Sequence, residues 1–70
     1  VITKTQWQYR IEAWLKEDRR WVWGSHELED MTQGDGLNLL GQEGWELVTV
    51  TPFVEDGETC LYDFHFKRRL

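Results

Sequence analysis

The segment Leu37-Asn38-Leu39-Leu40-Gly41-Gln42-Glu43-Gly44-Trp45-Glu46-Leu47-Val48 constrains the fold of this 70-residue chain more than any other. It reads as a short helix, a glycine stop and the start of a strand. Leu37 and Leu40 recur at helical spacing. Gly44 occupies the left-handed position that commonly ends a helix, and Trp45 follows where it can pack back over the last turn. Leu37, Leu40 and Gly41 are expected to face a sheet, where a missing side chain at 41 would let backbones approach closely. Upstream, Thr32-Gln33-Gly34-Asp35 has the form of a cap with an acid at the third helical position. Gly34 and Gly36 each weaken a helix by about 1 kcal/mol relative to Ala, so the helix is expected to be firmest over residues 36–43.

The flanking segments read as strands. Trp7, Tyr9, Ile11 and Ala13 alternate with Gln8, Arg10 and Glu12, the pattern of a half-buried strand. Trp14 and Leu15 extend it, with Trp14 on the polar face. Lys16 to Arg20 is a mixed charge run that suits an exposed turn. Trp21-Val22-Trp23 then returns as a short apolar piece that can pair back as an extra strand around residues 20–23. Residues 26–31 fit either a helical turn or a loop. Val48, Thr49, Val50 and Thr51 suit a pleated surface, and Pro52 ends that strand or marks it as an edge. Asp56-Gly57 is a tight-turn signal. Beyond it, Cys60, Tyr62, Phe64 and Phe66 share one face of the last strand, while Leu61, Asp63, His65 and Lys67 share the other. The expected architecture is a small α+β domain of order β-α-β-β. One helix packs on one face of an antiparallel sheet, and residues 1–70 make a single domain.

A chain this short buries only about 60% of its unfolded surface. Five Trp, two Tyr and three Phe partly compensate, since each ring buries roughly 150–250 Å². Small domains near this limit often need oligomerisation, so a homo-oligomer or a protein partner is expected. A single Cys60 excludes an internal disulfide and any multi-cysteine zinc knuckle. No apolar run approaches the roughly 18 residues of a membrane helix. No signal peptide is visible, so the cytosol is the expected compartment. The opening Val1 instead of Met fits the loss of an upstream segment. The net charge is −5, unevenly spread. Lys67, Arg68 and Arg69 read as a basic C-terminal tail, and five bases against thirteen acids leave −8 over residues 1–66. An acidic body argues against a nucleic-acid groove, which needs clustered Lys and Arg.

Three segments carry a resemblance. Trp7-Gln8-Tyr9-Arg10 resembles an opening Trp/Tyr-x-Tyr-Lys strand. Residues 37–48 resemble a central Leu-Asn-x-Leu-Gly-x-x-Gly-Trp-Glu-Leu-Val signature, and residues 62–68 a closing Tyr-x-Phe-x-Phe-Lys-Arg strand. Together they are similar to the small bacterial and phage domain-of-unknown-function 4177 family. The resemblance implies a β-α-β-β domain with one helix across a small sheet, and it implies no activity. Residues 14–36 depart from the family pattern and read as a variable insert.

Chemistry is thinly signalled. His65 and Asp63 share a strand face, and Glu12 or Arg10 is expected nearby if the first and last strands pair. Such a group can hold a proton-transfer histidine in a small enzyme or ligand sensor with a Trp-lined pocket, though a plain polar sheet face is the simpler reading. Cys60 and His65 point to opposite faces and do not form a nucleophile–base pair. His26, Glu27, Glu29 and Asp30 match no zinc or calcium spacing. The glycines lack a phosphate-loop pattern. No catalytic residue, metal or cofactor is therefore assigned. Trp7 and Trp45 are expected core anchors. Trp14, Trp21 and Trp23 lie outside the family-like unit, where such rings form interface hot spots, line a pocket or extend the core. The primary expectation is a non-enzymatic, self-associating or protein-binding module that recognises its partner through these Trp and an open sheet face or edge.

Overall fold

The computed structural model describes residues 4–70. β1 (Trp7–Glu17) and β2 (Arg20–Trp23) form a hairpin, a single 3-10 turn spans His26–Leu28, and α1 (Gln33–Gln42) follows. β3 (Glu46–Glu55) and β4 (Glu58–Arg69) form the second hairpin. β1, α1, β3 and β4 keep the expected β-α-β-β order, with β2 as the extra strand. The sheet runs β2-β1-β4-β3 and is antiparallel throughout. The first and last long strands thus form its centre.

Local chemistry explains each boundary. Both hairpin turns have two consecutive residues in the left-handed region, Asp18 and Arg19 in the first and Asp56 and Gly57 in the second. That backbone matches the twist of the flanking strands. The Thr32 hydroxyl accepts from the Asp35 N–H at 3.1 Å and caps α1. At the other end Gly44 adopts φ +90°. The Trp45 N–H reaches the Leu40 carbonyl at 2.9 Å and the Gly44 N–H reaches Gly41 at 3.0 Å, the paired bonds of a Schellman stop. The stop turns Trp45 onto Leu40, and both are buried.

The core is Trp23, Leu28, Leu40, Trp45, Phe64 and Phe66, with Trp14, Met31, Leu37, Leu39 and Tyr62 packed against it. Residues 14–36 therefore supply much of the interior. The close approach occurs at Gly36, not Gly41. A Cβ on Gly36 would sit 2.4 Å from Trp23 Nε1, whereas one on Gly41 would meet nothing. With that space open, the Trp23 indole donates to the Thr32 carbonyl at 3.1 Å. Within residues 26–31, His26–Leu28 forms the 3-10 turn, which buries Leu28 completely.

Two further expectations are corrected. Lys67, Arg68 and Arg69 are not a tail, because β4 carries them alongside Tyr9, Gln8 and Trp7 of β1. The apolar face of β1 is not the covered one. The helix side of the sheet takes Arg10, Glu12 and Trp14 from β1, opposite Phe66, Phe64 and Tyr62. Glu12 is buried there at 6% exposure, while Ile11 is 59% exposed and Tyr9 72%. Trp7, expected in the core, lies on the open side and is 37% exposed.

The molecule is long and thin, 53 × 25 × 16 Å. Its radius of gyration is 14.3 Å, against about 11 Å for a compact chain of this length.

Candidate functional site

The helix-free face of the sheet is built in five rows set by strand register. They run Trp7–Arg69, Tyr9–Lys67–Glu46, Ile11–His65–Thr49, Ala13–Asp63–Thr51 and Leu15–Leu61–Phe53. Side chains of one parity share a face, so β1 lays an apolar stripe beside a column of Lys67, His65 and Asp63 from β4. Among large apolar side chains, Trp7, Tyr9, Ile11 and Phe53 are exposed here. Lys67 Nζ lies 4.5 Å from the centre of the Trp7 ring and holds it by cation–π attraction. Trp7, Tyr9 and Ile11 thus form an exposed apolar run on β1 with charged neighbours, the kind of surface that marks interaction sites when it is extensive.

The outer strands β2 and β3 are less suited to edge pairing, while β1 runs on past β2 and its outer side over Trp7–Glu12 has no strand partner among the described residues. β2 has only four residues. β3 is interrupted by a register shift between Leu47 and Thr49 and carries Pro52 in mid-strand, features that blunt an edge.

On the covered face, Arg10 ties three elements together. It contacts Glu12 at 2.6 Å and Glu27 at 2.5 Å and lies 4.0 Å from Glu43. Arg10 and Arg68 also lie over the Trp45 ring, at 5.6 and 4.2 Å from its centre. Burial on its own would lower the Arg10 pKa, but the hydrogen bonds and attraction of Glu27 and Glu12 outweigh it and leave it raised. The hydrogen bond from Arg10 lowers the pKa of Glu27, and the Glu27 carboxylate in turn raises that of Glu43. This network compensates the buried Glu12 carboxylate and ties the 3-10 turn to β1 through Glu27, with Glu43 at its margin.

The sequence-derived residues are distributed unevenly. His65 and Asp63 share the open face, and the His65 ring lies 3.5 Å from the Thr51 hydroxyl. Glu12 is on the opposite side of the sheet, because it is adjacent in sequence to Ile11, the partner of His65. The three do not converge. Trp23 is in the core at 5% exposure. Trp14 meets it edge-to-face with ring centres 5.0 Å apart, and Trp21 leans on Tyr62 at 5.5 Å. Trp14 and Trp21, both half-buried, line an open cleft of about 370 Å³ with Arg20, Asp30 and Met31. That cleft is on the helix side, away from His65 and Asp63. Cys60 is exposed, and its thiol donates to the Phe53 carbonyl at 3.4 Å. Among the described residues no three His, Cys, Asp or Glu side chains are grouped to hold a metal ion. No helix among them is long and apolar enough to cross a membrane.

Sequence reasoning missed the exposed stripe as a site. The alternation of β1 marks two faces but does not say which of them is covered. No protein-family model matches the chain, and no curated protein or solved structure is significantly similar to it.

Proposed function

We propose that this protein is a non-enzymatic protein-binding module whose recognition surface is the helix-free face of the sheet. One observation carries the reading. The more apolar side of the central strand β1 faces away from the core, with Tyr9 and Ile11 largely exposed, while the covered side hosts an ion pair. A chain that buries Glu12 and exposes Ile11 has apolar surface whose burial is still available, at about 25 cal/mol per Å². In this reading the protein acts in the cytosol as a relative of the domain-of-unknown-function 4177 family. It makes no covalent change to what it binds.

The test is affinity capture with the full chain as bait. Wild type, Ile11→Lys, and Glu58→Lys at the far hairpin are compared. The expected result is that Ile11→Lys loses the proteins that wild type and Glu58→Lys retain, further copies of the chain included. An identical bound set for all three baits overturns the reading.

A further inference from the structure

We infer that the occupant of the helix-free face is a second copy of this chain, packed face to face about a two-fold axis that crosses the strands at the Ile11–His65–Thr49 row. The inference rests on the protein-binding reading above and adds the partner and its register.

Self-complementarity carries it. A two-fold axis in the plane of the sheet and perpendicular to the strands reverses the order of the five rows. The central row meets itself, placing Ile11 against the partner copy's Ile11. The second row meets the fourth. Tyr9, a large ring, then lies over the small Ala13 of the other copy. Lys67 lies over Asp63 of the other copy, and by symmetry this opposite-charge contact occurs twice. The outer rows place Trp7 over Leu15. Large rings thus meet small or aliphatic side chains and Lys67 and Asp63 meet their opposite charges, while Glu46 meets Thr51, Arg69 meets Leu61 and His65 meets the other copy's His65. An isologous interface requires this match of a patch with itself. Aligned packing of two twisted sheets, about 10 Å apart, is a standard way to cover such faces.

The area agrees. The chain exposes 5540 Å², whereas a compact monomer of 8.5 kDa exposes about 4,700 Å². The excess, roughly 840 Å², comes from an elongated fold that leaves β3 and the helix-free side of β1 uncovered, and it is of the order of the about 800 Å² that each partner contributes to a standard interface. Pairing through β2 or β3 is disfavoured by the shortness of β2 and by Pro52 and the bulge in β3, and pairing along the outer side of β1 over Trp7–Glu12 would not answer to exchange of the charges at 63 and 67.

Sedimentation equilibrium of the full chain from about 1 μM to about 1 mM, a range that spans moderate to weak affinities, tests the partner. Four samples are compared: wild type, Lys67→Asp, Asp63→Lys, and an equimolar mixture of the two variants. Alone, each variant sets like charges opposite each other twice, and its dimer is expected to weaken about tenfold or more. In the mixture every 63–67 contact pairs opposite charges again, so a heterodimer near wild-type affinity is expected. Ile11→Lys should weaken the dimer by about a hundredfold or more, with circular dichroism confirming that each variant is folded. A wild-type chain that stays monomeric throughout overturns the second-copy inference while leaving the protein-binding reading standing. A dimer indifferent to Ile11→Lys forms through another surface and overturns the second-copy inference, and the capture experiment above then decides the protein-binding reading. A dimer broken by Ile11→Lys but not rescued in the mixture overturns the register.

Discussion

Gly36 is where a single hydrogen atom decides the packing of the helix on the sheet. An added methyl would sit 2.4 Å from Trp23 Nε1 and 2.7 Å from its Cε2, and the ring is wedged against Trp14 and Phe64. Gly36→Ala gains helix propensity but overpacks the core. The expected net loss is about 1–3 kcal/mol, read as a lower urea midpoint with unchanged m-value. Gly41→Ala, facing open space, is the matched control that should stabilise. Glu43 supplies a pH test. Its pKa is raised in the folded protein by the neighbouring Glu27 carboxylate, so the folded state holds that proton to higher pH than the unfolded chain does. Stability from this group is therefore present in acid and lost as pH rises through the folded pKa. Glu43→Gln stays neutral throughout. Its thermal midpoint should exceed wild type near neutrality and converge with it below the carboxylate range, in a melting series against pH.

At the scale of elements, the turns and caps are where sequence and structure agree most closely. Asp56-Gly57, Gly44 and Thr32 act through their own backbone and their nearest neighbours, and such effects are visible in a short window. The first hairpin turn uses Asp18 and Arg19 at φ 50° and 68°. Arginine has no compensation for the crowded left-handed region. Arg19→Gly is expected to stabilise by up to about 1 kcal/mol, measured by chemical denaturation, because glycine fits the turn type. What the sequence could not show is which side of β1 the helix covers. A two-residue period defines two faces and is silent about which one is inside. That choice is made by α1 and the 3-10 turn, which bring Glu27, Leu28 and Leu40 onto the side of Arg10 and Glu12. The same non-local packing hides the separation of Glu12 from His65. A shift of one residue reverses the face, so the parity of a strand pairing must be known before its polar residues can be grouped.

At the scale of the whole molecule, the proposed dimer would make stability depend on concentration. If two chains share the helix-free face, unfolding is coupled to dissociation. The melting temperature should then rise by about 4 °C for each tenfold increase in protein concentration. Differential scanning calorimetry at two or more concentrations checks this, and Ile11→Lys should abolish the dependence. The strand order has a separate, mechanical consequence. Trp7 lies opposite Arg69, so the two ends of the described fold leave the sheet side by side. A pulling force applied there loads the β1–β4 hydrogen bonds one after another, as in opening a zip, and never all at once in shear. The domain should therefore yield at low tension from its ends, with its two hairpins parting first and outlasting the seam between them.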